Sequence, residues 1–411
     1  MANTLTSLNA TFKYVHDKKL KDLKPNSSIV YELAPFDEEN AVGRQYNAPV
    51  VLSYELGFTF GDGSAFAYED DVAGVYEEIE VNPNPVVLKS RLSIEAADRM
   101  KRSEKSMLNH VALRAGQMKM SLLKMAEIEM LHGRTGVGVI SGNPATPTAT
   151  TATVILTAAT WAPGIWGGLE GAKLEVRNSS GTKINANADV VIVSVDFANK
   201  TINVSGNATD MTDLADGHIL YFKGAYANGQ YGIKYQLDTS GTVFGINNST
   251  YALFKAQEKT VSGALTMKQV LDGRALAVAR AGLDSDAVLL CSTAAFENLN
   301  VDLGALAAID QRYSASKQAA GTQGIEYHGQ GGKIKILPHP MMMEGDAFLI
   351  PEKGLKKIGS TDITFKDIDG SDEAWKHLEG YHAYQLTCRY SFQVLISEPA
   401  KCVYFSAITN S

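Results

Sequence analysis

The first hundred residues contain a pair of alternating segments that restrict how this chain can fold. In the first segment, apolar side chains recur at every second position: Leu52, Tyr54, Leu56, Phe58 and Phe60. The second segment, residues 75–81, has the same period, and the Gly, Asp and Ser residues at 61–64 predict a turn between two strands. Two strands cannot bury an apolar face by themselves. The predicted hairpin must therefore pack against another surface, and a second copy of the chain is one candidate.

The same hairpin carries the charge imbalance of the whole protein. The chain of 411 residues has 38 Lys and Arg against 45 Asp and Glu, a net charge of −7. Residues 50–90 contain Lys89 as their only base and eight acids: Glu55, Asp62, Glu69, Asp70, Asp71, Glu77, Glu78 and Glu80. Residues 91–134 have nine bases and five acids. Complementary patches steer subunits together, so we expect contact between copies. The alternative is that the acidic hairpin and the basic helix are each exposed to solvent without contacting another copy. The effect of salt on association would discriminate between the two hypotheses.

Residues 93–132 predict one long helix. Ser93 is a suitable N-cap and Gly133 a suitable stop. Apolar residues recur at spacings of three and four: Leu108, Val111, Ala115, Met118, Leu122 and Met125. Such a helix would span about 58 Å. Its candidate basic face, which would meet the acidic hairpin, consists of Arg99, Arg102, Lys105 and Arg114. The candidate contact residues of the hairpin are Leu52, Tyr54, Leu56, Phe58, Phe60, Glu77, Glu78 and Glu80.

The composition changes near Pro144. Residues 145–257 contain seven bases and eight acids, about 13% charged against 20% for the chain. Short apolar runs at 190–195, 201–204 and 218–222 are divided by clusters of Gly, Asn and Asp. This pattern predicts a small inserted β-domain.

Alternation of helix and strand signals resumes after this insertion. Thr266 is a candidate cap of a helix that Gly282 ends, and Ser292 is a candidate cap of a second, short helix. Strands are predicted at 287–291, 333–337 and 348–350. Residues 386–396 alternate over one long strand, beside which residues 402–405 could pair. Overall we expect an α+β fold with β in excess.

The sequence lacks the motifs of common enzyme and cofactor sites. Residues 329–334 have neither the spacing nor the hydroxyl residue of a phosphate-binding loop. The eight histidines form no HExxH or Cys/His cluster. Cys291, Cys388 and Cys402 are too far apart for CxxC chemistry and are interpreted as buried thiols in a reducing compartment. We therefore expect no enzyme, no metal and no cofactor.

The chain also lacks the features of an exported or membrane-spanning protein. There is no apolar signal segment at the N-terminus and no run of about 18 apolar residues. The negative net charge gives no general reason to bind a polyanion, so we expect no sequence-specific contact with DNA.

The order of the elements resembles the major capsid protein of tailed bacteriophages, a fold shared with encapsulin shells and the floor of herpesvirus capsids. Two phrases strengthen the likeness. Residues 286–299, DAVLLCSTAAFENL, look like the strand and helix that enter the family's axial domain. Residues 331–354, GGKIKILPHPMMMEGDAFLIPEKG, look like its central strand, turn and strand.

The resemblance implies a division of the chain: an N-terminal arm at 1–48, an extended loop hairpin at 49–92, the spine helix and start of the peripheral domain at 93–143, an inserted β-domain at 144–258, the axial domain at 259–380 and the terminal strands of the peripheral domain at 381–411. It implies that residues 302–332 lie near the axis of a hexamer or pentamer. The function it implies is an icosahedral head shell around double-stranded DNA, located in the virion and assembled in the host bacterial cytoplasm.

The implied partners are copies of the chain itself, a scaffolding protein, a portal and a cement or decoration protein, with non-specific contact to packaged DNA. Because 48 residues before the hairpin are few for a cleaved scaffolding segment, we expect a separate scaffolding protein. Two alternatives remain open: an encapsulin-like nanocompartment shell and, from another class, a β-rich adhesion or tail-fibre-like protein. Native mass and negative-stain images would discriminate between shells and monomers.

Overall fold

The computed structural model describes residues 28–37, 45–94, 110–302, 325–365, 375–377 and 380–410. Its N-terminal part contains a one-turn helix, three strands and a long helix: α1 (Ile29–Leu33), β1 (Tyr46–Ser53), β2 (Val75–Val81), β3 (Val86–Ser93) and α2 (His110–His132). β1 and β2 pair antiparallel with each other and with no third strand of the described chain. We call residues 45–81 the arm, and residues 54–74 its tip.

The predicted helix and hairpin are present with different bounds. α2 ends at His132, as predicted, and the predicted residues 95–109 lie outside the described part. The prediction of a continuous strand from Leu52 to Phe60 is wrong, because β1 ends at Ser53 and only an isolated bridge joins Leu56 to Val72. Beyond Ser53, no part of the body that the structure describes covers the hairpin, so a regular ladder of alternating side chains is not stabilised there.

A seven-stranded antiparallel sheet follows α2, in the order β4-β10-β7-β8-β9-β6-β5. Its strands are β4 (Gly138–Val139), β5 (Ala145–Thr148), β6 (Thr151–Ile155), β7 (Lys173–Arg177), β8 (Val190–Asp196), β9 (Thr201–Ser205) and β10 (Ile219–Phe222). Short helices lie between and after them: α3 (Pro163–Trp166), α4 (Ala208–Thr212), α5 (Ala225–Asn228) and α6 (Ile233–Gln236). A small hairpin then follows: β11 (Thr242–Val243) and β12 (Ile246–Asn247). The sheet shares its core with the second half of α2.

A six-stranded mixed sheet has the order β13-β21-β17-β14-β16-β15. Its strands are β13 (Gln257–Gly263), β14 (Ala287–Cys291), β15 (Ile325–Gly329), β16 (Gly332–Pro338), β17 (Ala347–Pro351) and β21 (Val403–Ile408). The helices α7 (Met267–Ala281) and α8 (Thr293–Val301) pack on one face of this sheet. The other face joins the core that contains α2. Both faces of β14 and β17 are therefore covered, which explains their continuous apolar sequences.

The predicted caps of α7 and α8 are confirmed. Thr266 and Gln269 form a capping box at the start of α7, and the Ser292 side chain accepts a hydrogen bond from the Ala295 N–H at the start of α8. Gly282 ends α7 in the left-handed conformation, with φ 65°. A side chain is strained there, so glycine is the residue that a stop at this position favours.

The remaining strands form a four-stranded sheet around one long strand. They are β18 (Leu355–Thr364), β19 (Trp375–His377) and β20 (Ala383–Ile396), with β3 paired to β20. β20 has the predicted alternation, with Leu386, Cys388 and Tyr390 buried against α2. The prediction that the last strand pairs beside β20 is wrong: β21 pairs with β13 and β17. A 3₁₀ turn at Pro399–Lys401 precedes β21, which runs in the six-stranded sheet.

Candidate functional site: the arm and its surroundings

The base of the arm packs against its own chain. Ile79 and Val81 of β2 are buried in a cluster with Phe244 and Ile246 of the β11–β12 hairpin region. The Phe244 carbonyl accepts a hydrogen bond of 3.1 Å from the Glu80 N–H. Leu395 of β20 belongs to the same cluster. Part of the hairpin is therefore covered within the molecule, by a cradle formed by Phe244, Ile246 and Leu395 that the sequence did not reveal.

The tip of the arm is exposed instead. Phe60 is 94% exposed, Tyr68 is 87% exposed and Phe58 is 72% exposed. Even Leu56, which forms the isolated bridge to Val72, is 56% exposed. Isolated exposed apolar residues are ordinary, but a contiguous exposed aromatic segment marks an interaction surface.

The acids of the arm are exposed too. Glu77, Glu78 and Glu80 of β2 are all exposed, and the Glu78 carboxylate accepts a hydrogen bond of 2.8 Å from the Asn47 side chain. Among the predicted contact residues, Leu52 is buried in the cradle cluster, whereas Tyr54, Leu56, Phe58 and Phe60 point to solvent. No base lies within residues 54–74. The tip is thus an anionic and aromatic surface.

The predicted basic face of the long helix is only partly within the described chain. Arg99, Arg102 and Lys105 lie outside the described residues, and Arg114 lies in α2. The contact between these bases and the hairpin therefore stays a prediction. From residue 118 onward α2 is mostly buried, with Lys119 as an exposed base.

A buried polar anchor joins the N-terminal segment to α2. The Glu127 carboxylate is fully buried and accepts hydrogen bonds from the Val30 N–H at 2.7 Å and the Tyr31 N–H at 2.9 Å. His339 Nε2 is 2.8 Å from the same carboxylate. Because His339 Nδ1 accepts from the Met341 N–H, Nε2 carries the proton and donates to Glu127. The carboxylate is thus satisfied by three donors from two distant segments.

Two further ionisable side chains of α2 are buried near the anchor. Burial raises the pKa of Glu129 to about 7, opposed by the Gln230 N–H and the charge of Arg134. Burial lowers the pKa of His132 to about 4, helped by the positive charge of Lys234. Gly133, directly after α2, lies very close to the backbone of Gln230. A Cβ atom at this position would lie 2.3 Å from the Gln230 carbonyl oxygen. The 229–232 segment can pack this tightly on α2 only because residue 133 is glycine.

The thiols are poor nucleophiles. All three cysteines are buried and unpaired, and burial raises the pKa of Cys291 to about 12 and that of Cys402 well above its usual range. Across the residues that the structure describes, no group of three or more His, Cys, Asp and Glu side chains could hold a metal ion. None of the helices in this part of the chain is long and apolar enough to cross a membrane.

Comparison with known proteins shows similarity to solved structures but not to family models or curated proteins. No protein-family model matches the sequence, and no curated protein matches it. A chain of the capsid asymmetric unit of cyanophage A-1(L) is similar over 99% of this chain and 100% of that chain, with a TM-score of 0.60 at 10% identity. Capsid chains of the empty and native GTA particles are similar over 100% of both chains, with TM-scores of 0.51 and 0.50 at 7% identity.

These likenesses define the class of fold. The chain has the α+β fold of phage capsid subunits, over nearly its whole length. The resemblance to the capsid-protein fold of tailed bacteriophages, expected from the order of the elements, is confirmed.

Proposed function

We propose that this chain is the major capsid protein of a tailed bacteriophage, which assembles from many copies into the icosahedral head shell around double-stranded DNA. The observation that carries the proposal is the contrast between the two ends of the arm. Its base is fixed on its own body by Ile79, Val81 and Phe244, while its aromatic tip is exposed to solvent. A tip of this composition is stabilised when it is buried, at about 25 cal/mol per Å² of apolar area.

The full-length likeness to capsid chains supports this role. In this proposal the arm is the contact between neighbours, the six-stranded sheet belongs to the axial domain and the four-stranded sheet belongs to the peripheral domain. The two sheets do not follow the division predicted from the sequence, because β21 joins the six-stranded sheet and β18 joins the four-stranded sheet. Hexamers and pentamers are the proposed assemblies, with a scaffolding protein, a portal and a decoration protein as the proposed partners. Assembly takes place in the host cytoplasm and the product is the virion shell.

The proposed role is structural. The buried thiols have raised pKa values and are poor nucleophiles, and Glu127 and His339 are hydrogen-bonded to each other in the core. A buried pair that fixes backbone amides stabilises the fold and has no access to a substrate.

Assembly of the purified full-length chain tests the proposal. We expect closed, regular particles in negative-stain images and a high native mass at raised protein concentration, with or without an added scaffolding protein from the same source. The matched control replaces Phe58, Phe60 and Tyr68 with serine, which removes these aromatic side chains from the tip and keeps the backbone. Monodisperse monomers of the unaltered chain at high concentration and low salt, under both conditions, would show that the proposed function is wrong.

A further inference from the structure

Two buried side chains of the core have polar atoms that lack a hydrogen-bond partner. Gln230 is 2% exposed, and Tyr390 of β20 is fully buried. Among the residues that the structure describes, none forms a hydrogen bond with Gln230 Oε1, Gln230 Nε2 or the Tyr390 hydroxyl. Buried polar groups of folded proteins are almost always hydrogen-bonded, either to the protein or to ordered water. These three atoms therefore need a partner from outside the described chain.

The three atoms belong to one buried polar cluster. Burial raises the pKa of Tyr390, the charge of Glu129 raises it further, and the Gln230 side chain lowers it. A neighbouring polar or charged group has such an effect only at short range. The Glu129 carboxyl is itself only 6% exposed and accepts a hydrogen bond of 3.2 Å from the Gln230 N–H. The hydroxyl, the amide and the carboxyl thus lie around one point in the core.

Backbone contacts beside Gln230 hold the 229–232 segment in place. The Tyr231 N–H donates a hydrogen bond of 2.9 Å to the Gln393 side chain. The Gly232 N–H donates one of 3.2 Å to the Gly133 carbonyl. A shift of the segment towards the hydroxyl would break these bonds, so the amide stays where it is.

The Tyr390 ring is fixed as well. Tyr390 lies opposite Val86 of β3, and its ring centre is 4.7 Å from that of Phe392. Because protein cores are close-packed, a fully buried ring has little room to turn. A bridging group is therefore needed between two side chains that are both fixed.

The packing around the cluster restricts the bridging group to a very small one. A Cβ atom at Gly229 would lie 2.6 Å from Glu129 Oε2, and one at Gly133 would lie 2.3 Å from the Gln230 carbonyl oxygen. Neither a segment of another protein nor an organic ligand fits a site that is this deep and this closely packed.

The unpartnered atoms define the chemistry of the bridging group. Gln230 Nε2 is a donor and needs an acceptor, Gln230 Oε1 needs a donor, and the Tyr390 hydroxyl can act as either. A metal cation would satisfy the oxygen atoms but not Nε2. Water both donates and accepts, and a buried water molecule makes about three hydrogen bonds to groups of this kind. The atoms therefore favour water over a cation.

We propose that ordered water is bound between the Gln230 side chain, the Tyr390 hydroxyl and the Glu129 carboxyl. The water links the 229–232 segment to α2 and to β20. The site lies inside one subunit and does not involve the arm, so it is expected in the unassembled chain and in an assembled particle alike. Its test is therefore independent of the test of the proposed function.

A structure of the unaltered full-length chain, at a resolution that shows ordered water, tests the site directly. We expect density about 2.7–3.2 Å from both the Gln230 side chain and the Tyr390 hydroxyl oxygen. A direct hydrogen bond between the two side chains, or a cluster without density, would overturn the proposal. Density about 2.3–2.6 Å from oxygen atoms alone would indicate a hard cation and would overturn it too.

Magnetic relaxation dispersion of the water oxygen nuclei detects long-lived internal water in solution and provides a second test. The double variant Gln230→Leu with Tyr390→Phe removes the polar partners at similar size and should lose the signal of at least one long-lived water. The control Tyr404→Phe removes a hydroxyl that donates directly to Asp346 at 2.8 Å, and it should not lower the signal. An equal signal from the double variant and the unaltered chain would overturn the proposal.

Thermal unfolding shows whether each of these variants folds. If the double variant does not fold, Tyr390→Phe replaces it, with the same loss of signal expected. The density in the unaltered chain depends on no variant, so it decides the proposal in either case.

Discussion

The substitution Glu127→Gln tests how strongly the buried anchor stabilises the packing of α1 on α2. The Glu127 carboxylate accepts three hydrogen bonds, from the Val30 and Tyr31 N–H groups and from His339 Nε2. Glutamine keeps one oxygen, which can still face Val30 and His339, but its NH₂ group then faces the Tyr31 N–H. Two donors meet, and the Tyr31 N–H is left buried without an acceptor.

The magnitude follows from these contacts. An unsatisfied buried donor is unfavourable by about 1–3 kcal/mol. The two remaining bonds lose the carboxylate charge, which removes roughly 1 kcal/mol from each. Burying an amide is less unfavourable than burying a carboxylate, so part of this sum is offset. We expect α1 to be destabilised by about 3 kcal/mol, which corresponds to an opening constant about 100-fold larger.

Hydrogen exchange measured by mass spectrometry on the peptide that covers residues 28–34 would report this opening. The expected result is a rise in exchange of about 100-fold in Glu127→Gln, without a comparable change in β14. The matched control is Glu32→Gln, an exposed acid of the same helix, for which the change in stability should stay within about 0.5 kcal/mol. Unchanged protection of residues 28–34 in Glu127→Gln would refute the reasoning.

Three further predictions concern other parts of the fold. Because the pKa of Glu129 is raised to about 7 from an ordinary value of 4.5, its contribution to stability is present below pH 4.5 and is lost as the pH rises through 7. The free energy of unfolding of Glu129→Gln, measured in denaturant, should therefore rise relative to that of the unaltered chain between pH 5 and pH 8. A difference that stays constant over this range would contradict the prediction. Thr266→Ala removes the capping box of α7 and should lower the free energy of unfolding by about 1 kcal/mol, whereas an unchanged unfolding midpoint would show that the cap is not needed. Phe244→Ala should destabilise the packing at the base of the arm by about 3–5 kcal/mol and make the arm more sensitive to proteases. Phe60→Ala should leave the stability of the unassembled chain unchanged and weaken assembly. Equal effects of the two variants on proteolysis would contradict the division of the arm into base and tip.

Local signals predicted much of the fold. The alternation of β20, the strand at 287–291 and the capping residues Thr266 and Ser292 depend on neighbours a few positions away in the chain. Backbone dihedrals, caps and side-chain direction are set over such distances, so the pattern predicts the element. The resemblance of the element order to a capsid subunit depends on the same local signals.

The surroundings of the arm could not be predicted in this way. The contacts of Ile79 with residues near Phe244 join segments that no period relates, and Glu127 meets His339 across 212 positions of the chain. The pairing of β21 also required the tertiary structure, because a short apolar strand pairs equally well, by pattern alone, with any neighbour. An aromatic tract between Tyr231 and Phe254 was a signal of the cradle, since large apolar side chains in a loop region need a partner surface.

By itself, then, the sequence determined that this chain would place an acidic two-stranded segment, a long helix and a long alternating strand in that order, because periodicity and charge are properties of local sequence. The tertiary structure alone decided that the base of the hairpin rests on its own chain, where β1 ends, and which sheet faces remain open. Those features depend on which distant surfaces meet and exclude water, and such long-range packing leaves no periodic trace in the chain.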